Sequence, residues 1–342
     1  MAGSNAESMN KGQKPSVTWV HRKPRQLGNF SMEATFRRLH AAWTEQPPAQ
    51  HTVSEFSKGI VPRWRIWREV KRLETDILHI TGDINFACIT QRRKGRKVVL
   101  TIHDVGMLDE GSWVMRALKT WFLLLWPSKS CDAIIVVSDT TKQDILSRCS
   151  YPEQQIHVIP SLISSHFRER ESQPSGGPQR ILHIGTAANK NLAGHIAALD
   201  GTGLHLTIIG EPREADRRRL ETADLSFDIR TGLSVEEMQA VYAESTVLLF
   251  CSHLEGFGMP IVEAQTIGVP VITSQHDPMH QVAGDGALFC DPSDPVSIRE
   301  QVLKLIQDEP LRNTLIEKGK TNARRFNPQQ AMAAHQALYN SI

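Results

Sequence analysis

Short runs of Val, Ile and Leu alternate along almost the whole chain with longer stretches in which apolar positions recur every three or four residues. The runs predict strands at residues 16–21, 76–81, 97–102, 133–138 and 156–160, and again at 180–185, 205–210, 247–252, 270–274 and 287–290. Near-continuous apolar strands separated by helices are expected of parallel sheets covered on both faces. Repeated βα units of this kind build doubly wound α/β domains. Residues 169–179 interrupt the pattern, being polar and holding Pro174, Gly176, Gly177 and Pro178, and they read as a linker. The expected organisation is a disordered leader over residues 1–15, a Rossmann-like domain over 16–168, the linker, a second Rossmann-like domain over 180–327, and a closing helix over 328–342. In that helix Ala331, Ala334, Leu338 and Tyr339 fall on one face suited to burial. Two such halves hold a ligand in the cleft between them, at the carboxyl ends of their strands.

Composition narrows the function. A chain of 342 residues is long enough for two ordinary α/β domains. A net charge of +2 suits anionic small ligands but lacks the concentrated basic face of a nucleic-acid binder, so no nucleic-acid partner is expected. The five cysteines are scattered without a C-x-x-C pair, which predicts reduced, buried thiols and no zinc site. The first fifteen residues lack the apolar core of a signal peptide. The most apolar run, residues 121–126, is far shorter than the roughly 20 residues that span a bilayer. A cytoplasmic protein is expected on these grounds. Two stretches, residues 62–72 and 113–126, mix aromatic with basic or leucine-rich sequence. They suit contact with anionic lipid headgroups or a lipid-diphosphate acceptor at the inner face of the cytoplasmic membrane; the plainer readings are a solvated basic face and a core helix.

Residues 251–274, CSHLEGFGMPIVEAQTIGVPVITS, carry the most chemistry. A strand runs into a turn with Gly256 and Gly258, and a helix starts near Met259. Pro260 suits its first turn, while Gly268 and Pro270 end it. Glycines let main chain approach a ligand, and exposed N–H groups at a helix start attract an anion such as a diphosphate. Glu263, about one turn into the helix, is placed to accept from ribose hydroxyls, and Glu255 from sugar hydroxyls.

At this segment the sequence resembles family 4 of the retaining glycosyltransferases, whose E-x7-E signature matches Glu255–Glu263 within E-G-F-G-x-P-x-x-E-A-x-x-x-G-x-P-V-I-x-S. Thr101-Ile-His-Asp104, Ile184-Gly185 followed by Lys190-Asn191, and Asp291-Pro292 match in order. The resemblance implies the GT-B architecture, two Rossmann-like doubly wound domains facing across a cleft with the C-terminal helix crossing back to the first. It also implies sugar transfer from a nucleotide-diphosphate sugar to a glycan or lipid-linked acceptor, as in polysaccharide and lipopolysaccharide assembly. His103, Lys190 and Glu255 become the catalytic candidates. Gly185, Asn189, Gly256, Phe257, Gly258, Met259 and Glu263 become the donor-binding ones, with Gly28, Ser31 and Asp104 on the acceptor side. Lys190 would place a positive charge on departing phosphate oxygens. Asn189 departs from the pattern, since the family often has an arginine there, which removes a bidentate phosphate contact.

There is no D-x-D triplet, so a metal-bridged diphosphate lacks its usual carboxylates, and neither metal nor cofactor is expected. Three rivals stay open at this point: a sugar-nucleotide epimerase, a phosphorylase, and a catalytically degenerate binding subunit. Base, sugar and acceptor are not readable from these residues.

Overall fold

A computed structural model describes residues 14–24, 31–93, 95–109, 111–163, 166–170 and 179–342, apart from the side chains of residues 31–34 and 107. The first half runs β1 (Val17–His21), α1 (Ser31–Ala41), β2 (Ala49–Thr52), α2 (Ile60–Lys71), β3 (Ile77–Ile80), β4 (Lys97–Ile102), α3 (Trp113–Thr120), a π-helical stretch (Trp121–Leu125), α4 (Trp126–Lys129), β5 (Ala133–Val136), α5 (Asp139–Arg148) and β6 (Ile156–Val158). The second runs β7 (Arg180–Ile184), α6 (Leu192–Leu199), β8 (His205–Ile209), α7 (Glu214–Thr222), β9 (Ser226–Arg230), α8 (Val235–Glu244), β10 (Val247–Phe250), α9 (Met259–Ile267), β11 (Val271–Ser274), α10 (Met279–Ala283), β12 (Ala287–Cys290), α11 (Pro295–Gln307), α12 (Glu309–Ala323) and α13 (Pro328–Ser341). Two six-stranded sheets result, ordered β2-β1-β3-β4-β5-β6 and β12-β11-β10-β7-β8-β9. The pairs between their strands are all parallel. The chain reverses its direction of travel between β1 and β3 in one sheet and between β7 and β10 in the other, which are the switch points where such sheets hold ligands.

Alternation along each strand divides the core. Val20, Leu78, Leu100 and Ile134 pack on one face of the first sheet, whereas Trp19, Ile77, Val99 and Ile135 pack on the other. Of the twelve strands among the described residues, ten fall where the sequence predicts them. The other two, β2 and β9, are edge strands of sequence AQHT and SFDIR with no fully buried residue, so they carry no apolar signal.

The closing helix crosses back. Ala331, Met332, Leu338 and Tyr339 of α13 join the first sheet's core. Ala334 is exposed, contrary to expectation, and His335 takes the buried position. The Trp19 indole donates to the Tyr339 hydroxyl at 2.9 Å. That hydroxyl meets His79 Nδ1 at 2.6 Å, and His79 Nε2 meets Thr101 Oγ1 at 2.7 Å. Burial holds His79 well below the ordinary histidine value and brings His335 down to about 4.

The outward crossing comes before the polar stretch at 169–179. Leu162 belongs to the first core, but Phe167 packs in the second, edge-on to Tyr242 with 5.7 Å between ring centres. The Arg170 N–H bonds the Ile267 carbonyl. Residues 171–178 and the leader over 1–13 lie outside the described residues. All five cysteines are buried and unbridged. The core-helix reading of residues 113–126 fails in its first half, because α3 contains no buried residue. No described helix is long and apolar enough to cross a membrane.

Candidate active site

Strands β7 and β10 are neighbours at the second switch point, and the loops leaving their carboxyl ends build the site together. After β7, Gly185 turns with φ near +89°; a Cβ there would meet the Lys190 side chain at 3.1 Å. A short 3₁₀ turn, Ala188–Lys190, then leads to Asn191 in the left-handed region, which starts α6. After β10 the loop runs to Gly258, also left-handed, and α9 begins at Met259 with Pro260 in its first turn. The N–H groups of that turn have no intrahelical partners.

The β10 loop is gripped from outside. Five successive carbonyls, from Phe250 to Leu254, each accept a side-chain donor: Thr273 Oγ1, Asn191 Nδ2, Ser274 Oγ, His276 Nε2 and Asn189 Nδ2, at 2.6 to 3.1 Å. Asn191 Nδ2 also reaches the Pro292 carbonyl at 2.6 Å, and the His253 N–H donates to the Asn189 carbonyl. Asn189 therefore serves as a clip between the two loops, a role the sequence did not suggest. None of these contacts is local in sequence, so no motif announces them.

Lys190 and Glu255, assigned separate tasks from sequence, are brought together. Lys190 Nζ lies 2.6 Å from Glu255 Oε1 and 4.8 Å from the Phe250 ring centre. Both side chains are mostly buried, 22% and 11% exposed, so their charges are only partly screened by water. Glu263 lies one turn into α9, where it accepts from the Tyr242 hydroxyl at 2.8 Å. Burial raises its carboxyl above the ordinary value, against the pull of that hydrogen bond and of the Arg38 charge in α1. Its rim is partly accessible although protein surrounds the carboxylate. The Phe257 ring is buried edge-on to Phe326, so that residue offers only its main chain to a ligand. Met259 is half-buried beside the same core.

The first half closes over the loop. An added Cβ on Gly256 would sit 2.3 Å from the His103 carbonyl oxygen and 2.9 Å from Asp104 Cβ. Only a glycine fits that approach. Ser138 caps α5 through the Thr141 N–H, and its hydroxyl also donates to the Gly256 carbonyl at 2.8 Å. His103 Nε2 meets the Thr81 carbonyl at 3.0 Å, so Nε2 carries the proton and Nδ1 is left as an acceptor. Burial lowers this imidazole's pKa, opposed by the Thr81 hydrogen bond; it is neutral at pH 7. Asp104 is exposed beside the cleft, accepting from the Gly106 N–H. Ser31 opens α1, and Gly28 lies outside the described residues. The geometry thus gathers Gly185, Asn189, Lys190, Glu255 and Gly256–Met259 on one wall, with Glu263 behind them and His103 and Asp104 opposite.

The chain is similar to known proteins. The family model described as glycosyl transferases group 1 matches residues 166–322, and that of glycosyltransferase family 4 matches residues 13–166. The O-antigen chain mannosyltransferase B of Escherichia coli is 35% identical over 220 residues, which are 58% of this chain and 58% of that protein. The MMP alpha-(1->4)-mannosyltransferase of Mycolicibacterium hassiacum is 24% identical over 289 residues, covering 77% and 70%. The match to the first of these relatives thus spans about three-fifths of its length. Among solved structures, Anabaena HepE in complex with UDP superposes with a TM-score of 0.77 at 13% identity, covering 96% of this chain and 100% of that one. The lipopolysaccharide outer core galactosyltransferase WaaB gives 0.64 at 17% identity, covering 96% and 100%. At such identities these structures speak for the fold alone.

Proposed function

Because this chain belongs to the family 4 type of glycosyltransferases, with the GT-B architecture, we propose that it moves a hexosyl unit from a nucleotide-diphosphate sugar to an acceptor hydroxyl with retained configuration. The observation that carries this reading is the Lys190–Glu255 pair, held beside the start of α9 and facing His103 across the cleft. The donor diphosphate sits on the α9 N-terminus, where main-chain N–H groups and the helix dipole favour anions. As the bond from the sugar C1 to the β-phosphate oxygen breaks, charge gathers on the leaving phosphate. Lys190 turns from Glu255 towards it and stabilises the transition state more than the ground state. Glu255, released, accepts from sugar hydroxyls. The acceptor oxygen bonds C1 on the face the phosphate leaves, and its proton passes to that phosphate. The products are a glycoside and a nucleoside diphosphate. Neutral His103 contributes hydrogen bonds near the donor sugar and does not act as a base.

The acceptor in this reading is a glycan or lipid-linked glycan at the cytoplasmic face of a membrane, which the O-antigen mannosyltransferase among the relatives supports. No bound metal or cofactor takes part in the proposed steps. Incubation with UDP- and GDP-linked hexoses and lipid-linked acceptors, read by mass spectrometry, tests the reading. A glycoside with equimolar nucleoside diphosphate is expected. An epimerised donor without acceptor, a sugar phosphate made from free phosphate, or no turnover despite nucleotide binding would replace it with an epimerase, a phosphorylase or a binding subunit.

A further inference from the structure

Two buried histidines beside the Lys190 loop take no part in the steps proposed above. His183 in β7 and His195 in α6 are each no more than 1% exposed. Their Nδ1 atoms lie 2.8 Å apart with the rings edge-on, and His183 Nε2 lies 2.6 Å from the Gly185 carbonyl oxygen. A carbonyl only accepts, so His183 Nε2 carries a hydrogen. Burial brings the His183 pKa down to about 4 and holds that of His195 well below the ordinary value, so both rings are neutral at pH 7. His183 Nδ1 is then bare and accepts from the Nδ1–H of His195. His195 Nε2 in turn has no hydrogen to give, and it makes no hydrogen bond although the Cys251 carbonyl lies near it. A single order of donors and acceptors fits every contact: His195 donates to His183, and His183 donates to Gly185.

What these bonds hold is the loop that carries Lys190. It leaves β7 at Gly185 and reaches α6 at Asn191. Its first carbonyl is held by the His183 ring, and its last, that of Asn191, accepts from the His195 N–H at 3.1 Å. The two histidines thus tie the ends of the loop together. Within it, the Lys190 stem lies on the main chain of Gly185: a Cβ there would meet Lys190 Cγ and Cε at 3.1 Å and Cδ at 3.3 Å. A shift of the Gly185 peptide therefore moves the stem, and with it the ammonium that stands 2.6 Å from Glu255. The neighbours of the two histidines along β7 and α6, Leu182, Ile184, Leu192 and Ile196, are apolar. An apolar side chain at either place would fill the core without the cost of burying a polar ring. The hydrogen bonds that offset this cost lead to the turn beneath Lys190.

We propose that His183, braced by His195, is a positioning residue that fixes the Gly185 turn and so aims Lys190 at the departing diphosphate. The target of that aim rests on the donor-site reading. Replacing both rings at once, His183→Met with His195→Met, leaves neither with an unpaired partner, so the melting curve should stay within a few degrees. kcat should fall at least about tenfold, as for a catalytic group displaced by an ångström, with the donor KM changed by less than about twofold. His183→Gln, whose amide can accept from His195 and donate to Gly185, should retain most of the activity. In a Lys190→Ala background the methionine pair should cost less than about twofold more, because an absent lysine cannot be misaimed. An unchanged kcat, an equal loss with and without Lys190, or a glutamine variant as slow as the methionine pair would overturn the proposal. Calorimetric titration of UDP and GDP runs the same cycle without turnover, since a free diphosphate presents Lys190 with the charge that the departing one gathers. The methionine pair should weaken binding only where Lys190 is present, and weakening of equal size in both backgrounds would again overturn the proposal. A protein that shows this coupling but transfers no sugar would lose the transferase reading and keep the positioning role.

Discussion

The reaction proposed here turns on a single ion pair. Lys190 stands 2.6 Å from Glu255 with little water around either, so its charge is already compensated and becomes available only to a stronger anion. Substituting Lys190→Ala should lower kcat by about 100-fold or more, as for a lost oxyanion donor, and leave Glu255 buried without its partner, which costs stability. Steady-state turnover beside a melting curve separates the two effects; unchanged kcat would remove Lys190 from the chemistry. The residue types were legible: two glutamates eight apart around G-F-G-M-P, and a lysine after β7. That the lysine and the first glutamate touch was not, because 65 residues separate them in sequence. Asn189 makes the same point. Read by pattern it is a missing arginine; in space it joins the two loops through Leu254 and His253.

At the scale of elements, strands were legible where burial on both faces forces apolar sequence, and illegible at the edges, where β2 and β9 meet water on one side. Helix α13 was legible as amphipathic, but His335 was not, since a lone histidine among alanines gives no apolar signal. Its docking on the first sheet runs through histidines that titrate abnormally. His335 holds a folded pKa of about 4 against 6.5, and His79 is also lowered. For groups depressed in this direction the folded state binds fewer protons than the unfolded chain. Their stabilisation is therefore complete above pH 6.5 and is lost as pH falls from there towards 4, with His335 alone worth about 3 kcal/mol across that window. Urea titrations from pH 7.5 down to 4.5 should show stability falling, and less steeply in His335→Asn. A parallel pH dependence in that variant would show that α13 does not carry the effect.

For the whole molecule, the halves meet closely where Ser138 donates to the Gly256 carbonyl and the His103 main chain abuts the same glycine. Ser138→Asp keeps a good helix cap for α5 but replaces the donor with an acceptor facing a carbonyl. The lost bond, about 1 kcal/mol, and the new repulsion should part the halves. The expected outcome is a larger radius of gyration in X-ray scattering and a fall in kcat/KM of about tenfold; scattering identical to the unsubstituted protein would show that this contact does not govern closure. From sequence the two-half plan was plain, whereas the point of contact was hidden, because a serine before a helix reads first as a cap.

The covalent path also passes between the halves twice, once between Leu162 and Phe167 and again between Phe326 and Ala331. A body tethered to another at two places swings most freely about the line through both tethers, as a door does on its pins. Opening would then follow one fixed arc, presenting the same lip of the cleft to every incoming substrate and to every product on its way out.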